Sequence, residues 1–272
     1  MPSLPLRMPS LLPAAALIVA LSGAATAQPQ LPRQIISLKD SADMLIIPRG
    51  PFIAGTNQLE LKAALKRMKA PMVSVFETEL KKENKVLGDY YIDRYEVTNE
   101  QYERFVKATG HAAPRYWKWP QFGRKRQPAV GIGWADAEAY CAWAGKRLPT
   151  EEEWEKAARG TDGRMWPWGN NADEDKFNGK AQSNYGPANV GSYSAGDSPY
   201  GLSDAAGNVW EMTSGIWGQS SKAMRGGSFL NTVSEVRVTV RWAPKDPEHG
   251  ANWLGFRCVM DVKNVPTFGR AK

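Results

Sequence analysis

Histidine and cysteine are nearly missing: His111 and His249 are the only histidines in 272 residues, Cys141 and Cys258 the only cysteines. Without a His-x-x-x-His spacing or a facial triad, there is no basis for a histidine-built zinc or iron centre. No Gly-x-Ser-x-Gly elbow, phosphate loop or dinucleotide fingerprint stands where a strand would meet a helix, so the usual hydrolase, nucleotide and dehydrogenase chemistries have no carrier. Long apolar runs are scarce too. The one near the start, Leu11 to Leu21, is interrupted by Pro13 and is too short to span a bilayer comfortably. Preceded by Arg7 and followed by Ala25-Thr26-Ala27, it has the layout of a secretory signal peptide over residues 1–27, cleaved after Ala27. The expected location is the periplasm, with no stable membrane insertion after cleavage.

About 245 residues then remain, enough for one large domain, and 11 tryptophans can fill a sizeable core. The 19 prolines and 25 glycines point to much irregular structure. A net charge of +7 would suit nucleic acid in a cytosolic protein, but an exported protein meets little of it. An anionic small molecule, an acidic protein partner or a membrane surface fits better, and a merely solvated surface explains the charge equally well. For two cysteines in an oxidising compartment a disulfide is the first expectation and two buried free thiols the alternative.

Residues 43–55, "DMLIIPRGPFIAG", read as a strand, a Pro-Arg-Gly turn and a second strand. From Gln58 to Lys69 the period is helical, with Leu61, Leu65 and Met68 on one face. A strand at Tyr90 to Ile92 leads to Thr98, an N-cap with Gln101 as its capping-box partner, and Gly110 ends that helix. The next helix spans Trp134 to Ala144, with Ala137, Tyr140, Cys141 and Ala144 inward and Gly145 as its stop. Thr150 and Glu153 form a second capping box, for a helix that carries Trp154, Ala157 and Ala158 inward and stops at Gly160. From Trp166 to Ser228 helical periodicity gives way to turns and short strands, which need side-chain hydrogen bonds or a bound ion to hold them. Within that stretch, Gly207 to Glu211, "GNVWE", offers a turn where carbonyls could converge and Glu211 complete an oxygen shell for calcium; a plain turn with a surface glutamate explains it as well.

Taken in order, "MLIIPRGPFIAG", "YYIDRYEVTNEQYERFV", "PAVGIGWADAEAYCAWAGKRLPTEEEWEKAARG", "WPWGN", "VGSYSAGDSPYGLSDAAGNVWEM", "RGGSF" and "LGFRC" resemble the formylglycine-generating enzyme family, the sulfatase-modifying-factor domain, over residues 43–261. The domain is assigned to residues 43–263, after an N-terminal extension at 28–42 and before a C-terminal tail at 264–272. The resemblance implies an α+β fold, the family's variant of the C-type lectin-like fold, with little regular structure and bound structural calcium. It places Cys141 and Cys258 on the positions of a structural disulfide. It matches Glu211, with the carbonyls of Ala206, Gly207 and Val209, to one calcium site, and Asn178 to a second.

In formylglycine generators the segment after Gly-Gly-Ser carries two cysteines that bind copper and oxidise a substrate cysteine. Here Asn231 stands where the first would be, and no cysteine lies between Gly226 and Arg257. No copper is therefore expected at that position, and the family's oxidation lacks its thiolate ligands. Three functions remain. The first is an accessory or maturation factor that holds a periplasmic protein, as supposed for exported relatives near denitrification metalloenzymes. The second is a tailoring oxidoreductase acting on a small molecule such as a siderophore precursor, and the third a lectin-like binding module. A binder would use Asn231, Arg237, Arg241 and Trp242 on the site segment and Trp117 and Trp119 in the basic, aromatic loop at residues 115–126. An enzyme would have Glu235 as its candidate base, held ionised by the local arginines. Ligands expected on this reading are a periplasmic protein or an anionic small molecule, not nucleic acid, and the protein is expected to be a monomer.

Overall fold

The computed structural model describes residues 31–68, 79–182, 185–218 and 221–265. The chain divides into Met1–Leu31 and Pro32–Lys272, and every element below belongs to the second unit. The signal peptide expected over residues 1–27, and Lys69 at the end of the first expected helix, lie outside the described residues.

Four strands form the first sheet, in the order β1 (Gln34–Ile36), β2 (Asp43–Ile47), β5 (Tyr90–Asp93), β10 (Val259–Asp261), all antiparallel. Its β1 strand lies within the expected N-terminal extension at 28–42, which is thus paired into the sheet. A two-stranded ribbon, β3 (Gly50–Ala54) with β4 (Glu83–Leu87), follows the Pro-Arg-Gly turn at the expected place. The third sheet has the order β8 (Arg241–Trp242), β7 (Ser221–Arg225), β6 (Trp210–Trp217), β9 (Leu254–Phe256). Within it β6 and β9 run parallel, Trp210 opposite Leu254 and Met212 opposite Phe256. A parallel pair needs a long return path. Here the chain leaves β7, crosses through β8 and re-enters at β9, and that excursion carries Ser228, Asn231, Thr232, Arg237 and Arg241.

Among the described residues four α-helices surround the sheets: α1 (Gln58–Arg67), α2 (Asn99–Thr109), α3 (Trp134–Trp143) and α4 (Glu151–Arg159). Both expected capping boxes are present. Thr98 caps α2 with Gln101, Thr150 caps α4 with Glu153, and Gly110 ends α2 in the left-handed conformation at φ 73°. Such caps satisfy amide donors that a helix start otherwise leaves unbonded.

The main core packs α2 and α3 on the third sheet. Tyr140 stacks on Tyr102 with centroids 5.6 Å apart and meets Phe256 of β9 edge-on at 5.4 Å. A second cluster sets Trp154, Ala157 and Ala158 of α4 against Ile47, Ile92 and Val259 of the first sheet. Trp154 is wholly buried, so its truncation to alanine should cost about 3–5 kcal/mol. Cys141 on the inner face of α3 is bonded to Cys258 between β9 and β10, with their Cα atoms 5.9 Å apart. Both thiols of the chain are therefore committed, and none is free.

Candidate functional site

At the end of β7 the backbone turns through Gly226 at φ 94° and Gly227 at φ 76°. A side chain at Gly227 would run into Val236, so the tight passage requires glycine. The chain then closes a small turn: the Asn231 carbonyl oxygen Oδ1 accepts from the Ser228 amide at 2.9 Å and its hydroxyl at 3.1 Å. That turn presents Leu230 to solvent, 53 % exposed. Beside it lies a groove of about 470 Å³ whose walls include Trp210, Leu230, Asn231, Trp242 and Trp253. Trp210 and Trp242 meet edge-to-face at 6.4 Å, and Trp242 remains 44 % exposed. Of the acidic and basic groups in its walls, Asp246 is bonded to His249 at 2.8 Å, and Lys245 is exposed. Of the expected ligand-binding residues, the structure brings Asn231 and Trp242 together here. Trp210 and Trp253 join them from β6 and the approach to β9, which sequence spacing alone did not connect.

Three other residues expected on this segment lie away from this groove. Arg237 does not line the groove: it is buried and clamps Glu79, with Nη2 to Oε1 at 2.5 Å and Nη1 to Oε2 at 3.2 Å. Arg241 turns toward α4, where Nε and Nη2 bond the two oxygens of Glu151 at 2.7 and 2.5 Å. Its guanidinium also lies over Trp217, 4.8 Å from the ring centroid. Glu235 closes its own turn, accepting at Oε2 from the amide and hydroxyl of Thr232 at 2.8 and 2.9 Å, and does not line the groove. Its expected arginine neighbours are thus paired with other carboxylates. An arginine near the core gains most from two-point pairing with a buried carboxylate, and both arginines take it.

The loop at residues 115–126 forms an adjoining wall. Phe122 and Tyr116 pack with Phe229 and Trp253, so part of its aromatic content is core. Trp119 meets Tyr116 edge-on at 5.5 Å and is 54 % exposed, while Trp117 is half-buried. Neither Trp117 nor Trp119 lines the groove itself.

The turn at Gly207 and Asn208 organises the loop-rich half. Asn208 accepts at Oδ1 from Asn178 and from the Ala188 amide, at 3.1 and 2.8 Å, and donates from Nδ2 to Glu96 at 2.9 Å. Asn178 also accepts from the Asn208 amide at 2.8 Å, so the two calcium expectations meet in one network. The side chains of Ala206 and Val209 pack into apolar clusters, and Gly207 passes so close to Asn178 that no side chain fits. Glu211 is buried and faces Arg257, accepting from Nε at 2.6 Å and Nη2 at 2.7 Å, with Trp154 Nε1 at 2.8 Å. It is therefore not the exposed glutamate of a plain turn. The spare acceptor is a residue the sequence did not single out: Oε2 of Glu96 is buried without a partner among the described residues. Burial raises Glu96 well above the usual carboxylate range, with repulsion from Asp204 adding to it. Asp204 is itself pushed up to about 6 by burial. Glu96, Asp204 and Glu211 thus share a single guanidinium, and an all-oxygen set with excess negative charge suits a hard cation in charge and in donor chemistry. Among the described residues no three acidic, histidine or cysteine side chains converge to hold a metal by themselves, so carbonyls of the turn would have to complete the shell.

The model of the sulfatase-modifying factor enzyme 1-like domain matches residues 32–262. The formylglycine-generating enzyme of Bos taurus is 28 % identical over an alignment covering 83 % of this chain and 76 % of the relative. A second Bos taurus protein, "Inactive C-alpha-formylglycine-generating enzyme 2", is 39 % identical over 51 % of this chain and 52 % of its own. Among solved structures, that of PvdO from Pseudomonas aeruginosa superposes with a TM-score of 0.69 at 22 % identity, covering 86 % of this chain and all of that one. The expected α+β fold, the formylglycine-generating-enzyme variant of the C-type lectin-like fold, is the one observed.

Proposed function

We propose that this chain, which belongs to the sulfatase-modifying factor enzyme 1-like domain family, is an exported accessory factor that holds an extended segment of another periplasmic protein in its tryptophan-lined groove and does not oxidise it. One observation carries the reading. Both cysteines are locked in the Cys141–Cys258 disulfide, and the position of the family's first copper-binding cysteine is filled by Asn231, whose side chain is spent on Ser228. The groove offers aromatic rings and a leucine, the groups that anchor a partner by burial, and no thiolate for copper-dependent oxidation. A metalloenzyme of denitrification is the kind of partner the family resemblance suggests. Export rests on the Ala25-Thr26-Ala27 pattern, and no helix among the described residues is long and apolar enough to cross a membrane.

Structural calcium belongs to the same proposal. Glu96, with carbonyls of the Gly207 turn, would hold it, and its role would be to offset the buried carboxylates nearby and pin the loops between α4 and β6. The unpartnered Oε2 of Glu96 supports this assignment.

The experiment is binding of the protein's natural partner, recovered from its periplasm, by wild type, Leu230→Asp and Trp242→Ala. Each variant should melt like wild type and bind at least tenfold more weakly, the loss typical of a central aromatic or apolar anchor. Unchanged binding in both variants would remove the groove from the function.

A further inference from the structure

We infer that the segment held in this groove is acidic on the side of the 115–126 loop: an apolar anchor side chain flanked by aspartates or glutamates. The inference rests on the groove reading above and adds the chemistry of its occupant.

The loop carries Arg115, Lys118, Arg124, Lys125 and Arg126, all exposed. No aspartate or glutamate occurs from Ala112 to Ala135. Among the described residues none of the five cations makes an ion pair; Arg115 lies over the Tyr116 ring at 5.6 Å, and Arg126 reaches the Val190 carbonyl at 3.4 Å. On the adjoining helix Glu103 is bonded to Lys107 at 2.7 Å and feels Lys125 only at longer range, which leaves Arg115, Lys118 and Arg124 without a carboxylate partner among the described residues. By contrast Arg237, Arg241 and Arg257, which face the interior, are each paired with a carboxylate. The loop differs in gathering five exposed cations within twelve residues that contain no carboxylate.

It is also fixed to the groove. Arg115 donates its amide to Gly131 at 3.1 Å, Gly131 donates to Ala251 at 2.9 Å, and Ala251 lines the groove. Tyr116 and Phe122 share an apolar cluster with Trp253, another wall residue. A chain segment seated on Trp242 and Leu230 and continuing past Trp253 therefore meets the uncompensated cations. Opposite charges at such a rim steer encounter and set the orientation of the bound chain. The half-exposed Trp119 among lysine and arginine would also suit an anionic lipid surface. A flat headgroup layer does not fill a concave groove lined by tryptophan, however, and this favours a protein segment.

The test uses the mature chain and two fluorescent synthetic peptides, each with a central leucine, one flanked by glutamate and serine, the other by lysine and serine. Wild type should bind the glutamate peptide on the order of tenfold more tightly at low salt, with the difference shrinking as salt rises. The triple variant Arg115→Glu, Lys118→Glu, Arg124→Glu, all at exposed positions, should reverse the preference with an unchanged melting curve. Equal binding of the two peptides, or none of either, would overturn the inference. So would sedimentation with phosphatidylglycerol vesicles that the glutamate peptide does not compete away. Trp242→Ala separates the two levels. Loss of binding there, with the triple variant unaffected, overturns the acidic occupant but leaves the groove reading intact; loss in the triple variant, with Trp242→Ala unaffected, overturns both.

Discussion

Arg241 grips Glu151 at both carboxylate oxygens, across 90 residues of sequence, and Arg225 approaches the same group at 3.2 Å. The pair ties β8, the strand beside the groove, to the first turn of α4, where an acidic side chain also meets the favourable end of the helix dipole. Arg241 is thus a clasp behind the groove. Its truncation acts on the fold before it acts on any ligand.

Arg241→Ala should lower unfolding stability by about 2–3 kcal/mol, below the full cost of breaking a buried pair because Arg225 still faces Glu151. Denaturant titration gives the number. Folded Arg241→Ala should bind partner as wild type does; a tenfold binding loss at unchanged stability would return this arginine to the ligand site.

Free-thiol labelling of the denatured, unreduced protein should find no thiol, since Cys141 and Cys258 are bonded. Their separation of 117 residues closes a long loop, which in the chain-entropy account stabilises the fold by about 5 kcal/mol. Cys141→Ala with Cys258→Ala should therefore unfold at much lower denaturant. Labelling of both thiols in the native chain would contradict the pairing.

Lys146 lies 2.7 Å from both Asp40 and Asp93, all three buried, so two carboxylates share one ammonium. Burial pushes Asp93 up to about 6, against the pull of Lys146. At Asp40 burial also works upward, but Lys146 holds the group below its ordinary value. For Asp93 the folded value exceeds the unfolded one, so its contribution is complete below about pH 4 and is lost as pH rises through about 6, amounting to about 3 kcal/mol. Asp40 has the opposite sign and acts at lower pH. The Asp93→Asn melting temperature should fall less than that of wild type between about pH 5 and about pH 7. Parallel curves would show that Asp93 does not titrate there.

Calcium should raise the melting temperature of wild type, by an amount equivalent to about 2.7 kcal/mol at a hundredfold excess over its dissociation constant, and chelator should reverse it. Glu96→Gln should abolish most of that response without unfolding the chain, because glutamine keeps the size of the side chain and an oxygen to accept from Asn208, while Oε2 has no partner among the described residues. Identical melting of wild type in calcium and in chelator would end the calcium proposal.

Local signals were legible in the sequence and long-range pairings were not. Thr98 with Gln101 and Thr150 with Glu153 lie three residues apart and settle their own geometry, and both boxes formed. The apolar face of α3 likewise put Cys141 inside. Asn231 and Trp242 were found because the family's blocks mark that segment. The pairing of Arg237 was not legible because its partner Glu79 lies 158 residues away, and a guanidinium gives no sign in the sequence of whether it faces solvent or a distant carboxylate. Glu96 and Asp204 were missed for the same reason. They belong to separate blocks and acquire their shared environment only when Arg257 comes within reach of both and Asn208 bonds Glu96.

The most direct measurement places a photo-crosslinking amino acid at Leu230, captures the partner in the periplasm, and weighs the attached segment. The expected result is one protein, attached through an extended segment whose mass, less the crosslinker, is that of its unmodified sequence. A captured segment carrying an oxidised residue that an untreated partner lacks would contradict the account and identify the groove as a reaction site.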